Sequence, residues 1–154
     1  MKSENISIKA CTEQDIDVLC HIENECFSCP WTRIAFSDFF GNNLSLCLAA
    51  YIGEEIAGYV GAYIIADTCE ITNIATLPSF RNRNVATSLM NKLIMTCYER
   101  HAERIILEVR ESNIPAISFY KKIGFYEVGV RKGYYKNPKE DAILMDYRII
   151  GENQ

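Results

Sequence analysis

Glu108 stands within Ile105-Ile106-Leu107-Glu108-Val109-Arg110, a run that is otherwise apolar up to its last residue. Taking a carboxylate out of water is costly unless a partner or a raised pKa compensates. That makes Glu108 a candidate general base, suited to stripping the proton from an amine before it attacks an electrophile. Tyr120 follows further along, where a helix position could open towards the same cleft as Glu108. Plainer roles exist for both. Glu108 could pair with Arg110 or a neighbouring lysine on an edge strand, and Tyr120 could be a core aromatic of a helix.

The elements that would carry these residues follow from apolar periodicity. Ile105–Val109 is a continuous β-branched and apolar run, the pattern of a strand covered on both faces. Ile114–Ile123 predicts a helix capped by Asn113, with Pro115 tolerated in its first turn and Gly124 past its end. Val85–Arg100 is the clearest helix: Val85, Leu89, Leu93 and Cys97 recur at helical spacing, and Met90 and Ile94 widen the stripe. Earlier in the chain, Ile6–Lys9 reads as a strand and Thr12–Glu25 as a helix capped by Thr12, with Ile16, Leu19, Ile22 and Cys26 on one face. A second helix is expected from Trp31 to Phe40, stopped by Gly41. Leu44–Ile52 and Ile56–Ile65 form a hairpin through Gly53-Glu54-Glu55, and Glu70–Thr76 is the next strand. Phe125–Val130 and Ala142–Ile149 close the chain as strands, with Gly133-Tyr134-Tyr135 in the loop between them. The order β-α-α-β-β-β-α-β-α-β-β gives a mixed α/β sheet with helices on both faces.

Composition narrows the function classes. At 154 residues, without repeats or linker-like tracts, the chain reads as a single domain over 1–154. An apolar fraction of 49% and a charged fraction of 23% fit a globular core and not disorder. The net charge of −4 supplies no footprint for nucleic acid. No stretch approaches the roughly 18 apolar residues of a membrane span, and Met1-Lys2-Ser3-Glu4-Asn5 lacks a signal-peptide pattern. Seven scattered cysteines suit reduced thiols and a cytoplasmic location. Cys26-x-x-Cys29 has no second pair at zinc-site spacing, so no metal is expected.

Arg81-Asn82-Arg83-Asn84-Val85-Ala86-Thr87 joins a strand to the long helix. The first helical turn leaves about four N–H groups without partners and carries the positive end of the helix dipole. Such a junction can cradle phosphate through its backbone. It can equally be a solvated loop that caps a helix. Phe27–Trp31 reads, through Trp31, as an aromatic plug under the core. Tyr134 and Tyr135 suit a contact surface with one wet edge, or ordinary packing of one ring.

Taken in order, Asn73-Ile74-Ala75-Thr76, Arg81-x-x-Asn84-x-Ala86, Leu107-Glu108-Val109-Arg110 with Ser112-Asn113, then Phe119-Tyr120 and Gly124-Phe125, resemble the GNAT family of acetyl-CoA-dependent N-acetyltransferases. Cys26-Phe27-Ser28-x-Pro30-Trp31-Thr32, Gly129-x-Arg131-Lys132-x-Tyr134-Tyr135, Glu140-Asp141-Ala142 and Met145 are similar to its RimI type, the ribosomal-protein-alanine N-acetyltransferases. The resemblance spans essentially the whole chain. It implies the GNAT fold, a mixed and mostly antiparallel sheet of about six to seven strands. It also implies acetyl-CoA as donor, no metal, and the N-terminal peptide of a small-subunit ribosomal protein as acceptor.

The same resemblance assigns roles, and it puts Phe27–Trp31 in a loop near the acceptor groove. Glu108 matches the base and Tyr120 the acid. Ile74, Ala75 and Thr76 would present strand backbone to the pantetheine arm and thioester. Asn82, Arg83, Asn84, Val85, Ala86 and Thr87 would wrap the pyrophosphate, and Asn113 would contact the cofactor near the start of its helix. The chain departs from the family where it has Asn84 and Ala86 in place of the usual glycines. Asn keeps the N–H donor and tolerates left-handed backbone better than most residues. Two other functions compete: acetylation of a small amine such as a polyamine or aminoglycoside, and a non-catalytic acyl-CoA-binding module.

Overall fold

A computed structural model describes residues 5–149. The polar start, apart from Asn5, and the last residues therefore lie outside the described residues. The elements are β1 (Ile6–Ala10), α1 (Ile16–Cys26), α2 (Arg33–Gly41), β2 (Ser45–Ile52), β3 (Glu55–Ile65), β4 (Thr68–Thr76), α3 (Val85–Glu99), β5 (Arg104–Arg110), α4 (Ile114–Ile123), β6 (Tyr126–Lys136) and β7 (Lys139–Arg148). They form one seven-stranded sheet in the order β1-β2-β3-β4-β5-β7-β6. Every pairing is antiparallel except that of β4 with β5. The expected mixed sheet with helices on both faces is the observed one.

Strand alternation divides the apolar residues between two cores. Leu46, Leu48 and Ala50 of β2 point to one side, where Leu89, Met90, Leu93 and Cys97 of α3 and Ile117 and Tyr120 of α4 pack. Cys47 and Ala49 point to the other, against Ile16, Leu19 and Ile22 of α1 and Phe36 and Phe39 of α2. The stripes predicted on α1 and α3 are thus the buried ones.

Three differences from expectation each have a local reason. Thr12 caps a 3-10 turn, Glu13–Asp15, and not α1 itself. Its hydroxyl accepts from Gln14 N–H at 3.3 Å while Asp15 accepts from Thr12 N–H at 2.8 Å. That reciprocal box closes the turn, so the α-helix begins at Ile16. Tyr134 and Tyr135 lie on β6, not in a loop. The β6–β7 register shifts between Arg131 and Tyr135, where Gly133 takes a φ of 62° and its N–H donates to Asp141 at 2.8 Å. A bulge in a long strand therefore mimics a turn in the sequence. Finally, β5 is not covered equally on both faces: Ile105, Leu107 and Val109 are buried, whereas Ile106, Glu108 and Arg110 are half-buried.

Candidate active site

The site arises where the sheet comes apart. β4 and β5 pair only over Thr68–Glu70 and Arg104–Ile106. Beyond that point β5 stays paired with β7, Glu108 lying opposite Leu144, while β4 keeps its ladder with β3. Thr72 is an extra residue in β4, because Asn73 pairs with Gly61 and Ile71 with Ala62. A bulge of this kind bends a strand and increases its twist, which carries the end of β4 away from β5. Between the two strands opens a cleft of about 1000 Å³.

Close packing fixes the far side of this opening. A Cβ on Gly58 would lie 2.4 Å from the Ala75 carbonyl oxygen and 3.2 Å from the Val85 side chain. Only glycine lets β3 sit this close to both β4 and the start of α3. Cys26 Sγ and Arg81 Nε each donate to the Thr76 carbonyl at 3.3 Å, tying α1 and the α3 loop to the same strand end.

Ile74, Ala75, Thr76, Asn82, Asn84, Val85, Ala86, Thr87, Glu108, Asn113 and Tyr120 all line the cleft. Arg83 belongs to the same loop, but its guanidinium lies over the Phe80 ring, 5.0 Å from the centroid, and donates to the Ser79 carbonyl at 3.4 Å. Asn82 and Asn84 both adopt left-handed backbone, with φ of 63° and 65°. Asn84 is the N-cap position of α3, so the conformation that glycine would provide is supplied by asparagine. The first turn of α3 aims its N–H groups and the positive dipole end at this part of the cleft, the arrangement that suits an anion. Asn113 accepts from Ala116 N–H at 3.2 Å and so starts α4.

Glu108 has 18% of its side chain exposed. Burial pushes its carboxyl above the ordinary carboxylate range, the negative charge of Glu70 adds to this, and Arg131, with its guanidinium 3.9 Å away, works in the opposite direction. Arg110, the partner that adjacency in sequence suggests, is turned elsewhere. It bonds Glu140 at 3.1 Å and the Pro138 and Asn137 carbonyls at 2.9 and 3.2 Å. Ser112 N–H also donates to Glu140, at 2.6 Å, so the β6–β7 hairpin is clamped to the end of β5. Tyr120 is a core aromatic packed on Phe119 and Phe125, and it also lines the cleft. Burial raises its phenol well above the usual tyrosine value.

Sequence reasoning left two readings open for Tyr135 and for Trp31, and it missed Glu23; all three line the cleft. Tyr135 lines the cleft under the Arg110 guanidinium, which sits 4.3 Å from its ring centroid. Its hydroxyl is pushed up to about 12, by burial first and then by Tyr134 and Glu108. Glu23 is buried beside the cleft although it lies on a helix otherwise striped with apolar residues. Its position four residues after Leu19 was the available signal. Trp31 lines the cleft and also packs on Phe36 and Phe39 at 5.3 and 5.8 Å, so its two readings merge. All seven cysteines are free thiols. Among the described residues no three His, Cys, Asp or Glu side chains are grouped to hold a metal ion.

Comparison with known proteins agrees with this geometry. The model of the Acetyltransferase (GNAT) family matches residues 16–125. A [ribosomal protein bS18]-alanine N-acetyltransferase from Haemophilus influenzae is 34% identical over 141 residues, covering 90% of this chain and 93% of its own. A Bacillus subtilis protein provisionally given the same name is 38% identical over 133 residues, covering 86% of this chain and 88% of its own. The crystal structure of the ribosomal-protein-S18-alanine N-acetyltransferase from Escherichia coli superposes with a TM-score of 0.89 at 28% identity, covering 97% of this chain and 99% of that one.

Proposed function

The chain belongs to the Acetyltransferase (GNAT) family, and from that premise we propose that it transfers acetyl from acetyl-CoA to the N-terminal α-amine of a protein, the N-terminal alanine of a small-subunit ribosomal protein. The observation that carries the reading is the divergence of β4 from β5, which puts Glu108 and Tyr120 on one cleft with a helix N-terminus suited to phosphate. The names of the relatives supply the acceptor.

The donor brings an activated acyl group, and the chain's residues do the rest. A terminal amine is largely protonated near neutral pH and has no free electron pair to attack with. Glu108 takes that proton, directly or through a water. Its raised pKa brings it closer to the working pH, where a base is most effective. Tyr120 keeps its proton across the working range because its phenol is raised, delivers it to the departing thiolate, and is restored by the second proton that the nitrogen sheds as the amide forms. Backbone along Ile74–Thr76, which has no ladder partner on the β5 side, can donate N–H groups to the acyl oxygen. Asn82–Thr87 bind the pyrophosphate through N–H groups and the helix dipole. Asn113 orients α4, which carries Tyr120, and borders the donor.

The reading places the protein in the cytoplasm with its ribosomal acceptor. Among the described residues no helix is long and apolar enough to cross a membrane. Incubation with acetyl-CoA and a panel of acceptors tests it by mass spectrometry. A peptide beginning Ala-Arg should gain one acetyl group on its α-amine, while polyamines and aminoglycosides remain unmodified. Preferential acetylation of a small amine would replace this acceptor, and tight acetyl-CoA binding without transfer to any amine would replace the enzyme with a binding module.

A further inference from the structure

Among the described residues Glu23 is the only buried charged side chain, with 1% exposure, and the proposed chemistry does not use it. Its Oε1 accepts the Trp31 backbone N–H at 2.8 Å. Its Oε2 accepts the Tyr59 hydroxyl at 2.6 Å and Asn73 Nδ2 at 3.1 Å. The three donors belong to three separate segments: the loop between α1 and α2, strand β3, and strand β4 beside its bulge. Glu23, Trp31 and Asn73 all line the cleft.

We infer that Glu23 is a positioning residue that locks the Trp31 loop to the β4 wall and so sets the shape of the acceptor side of the cleft. The inference rests on reading that cleft as the acetyl-transfer site. A buried carboxylate is a poor choice for stability alone, since apolar groups of similar volume often serve as well or better. What leucine could not do here is accept three directional bonds. The bond to Asn73 Nδ2 also fixes which way that amide faces, leaving Oδ1 on the opposite arm without a partner among the described residues. The loop end held through Trp31 N–H carries the ring that packs on Phe36 and Phe39.

Glu23→Gln is nearly isosteric, yet it converts one acceptor oxygen into a donor that faces either Trp31 N–H or Asn73 Nδ2. Trp31 is the only tryptophan in the chain, so quenching of its fluorescence by acrylamide reports the loop without any substrate. In folded Glu23→Gln the quenching constant should rise by about two-fold or more, and the peptide KM by about ten-fold, the scale of losing a hydrogen bond to a charged group. The KM for acetyl-CoA should change by much less than that for the peptide, because Glu23 bonds neither the Asn82–Thr87 segment nor Ile74–Thr76 directly. Tyr59→Phe, which removes one donor and leaves the other two, should shift both readouts in the same direction by less. Unchanged quenching, unchanged peptide KM, or an equal rise in both KM values overturns the inference. Should Glu23→Gln fail to fold, Tyr59→Phe decides by the same criteria. A wild-type protein inactive on every peptide would remove the acceptor reading, while the quenching comparison would still decide whether Glu23 holds the loop.

Discussion

The Arg131 guanidinium stands 3.9 Å from Glu108 Oε1, reaching across from β6 over the intervening strand β7. Arg131 also lies over the Tyr134 ring, 5.3 Å from its centroid, so the bulged part of β6 holds the cation in place. Burial and Glu70 raise the Glu108 pKa and Arg131 restrains the rise. A base must be deprotonated to act, so activity is lost as pH falls through its pKa.

Arg131→Met should therefore move the acid limb of the pH–rate profile to higher pH. The peptide amine contributes its own limb to kcat/KM, but that limb is common to both proteins and cancels in the comparison. Profiles of kcat and kcat/KM for wild type and variant check this. An acid limb that stays put would mean that Arg131 does not act on the base.

Tyr120→Phe removes only a hydroxyl and keeps the ring between Phe119 and Phe125. Melting temperature should hold while kcat falls, on the order of the 10²-fold that one general acid contributes. The loss should shrink for an acyl donor whose leaving thiol has a lower pKa. Equal rates for Tyr120→Phe and wild type would remove the acid role.

Asn84 has a φ of 65°, which glycine adopts without strain. Asn84→Gly should leave acetyl-CoA affinity unchanged or improved in calorimetry. Asn84→Val should weaken it and lower stability by about 1–3 kcal/mol, the cost of forcing such a residue into this region. A clear loss of affinity in Asn84→Gly would show that the asparagine side chain itself touches the donor.

Gly58→Ala would press a methyl group against the Ala75 carbonyl oxygen. Overpacking of this kind costs about 1–3 kcal/mol, a fall of several degrees in Tm for a chain of this size. Acetyl transfer should fall with it, because Ala75 and Thr76 must shift. A thermal melt together with the peptide assay checks both.

How much was legible in the sequence depended on the range of the interaction. The stripes of α1 and α3 follow from helical spacing, and both ended up facing a core. Glu108 was visible because a carboxylate interrupts an apolar run. Its partner was not: Arg131 meets it only through the register of two antiparallel pairings, which no local pattern encodes. The strand around Glu108 looked covered on both faces, because nothing in Ile105–Val109 reveals that β4 leaves it after Glu70. Tyr134 and Tyr135 were misplaced because Gly133 reads as a turn when it sits in a bulge. Glu23 was within reach, since it continues the Leu19 stripe; a charged residue on such a stripe asks for partners.

Steady-state acetylation of an Ala-Arg peptide by Glu108→Gln tests the central claim most directly. The variant keeps the shape and loses the base, so kcat/KM should fall by about 10²–10⁴-fold, with its melting temperature and acetyl-CoA affinity retained. Turnover equal to wild type in that folded variant would contradict the assignment of Glu108 as the group that takes the proton from the amine.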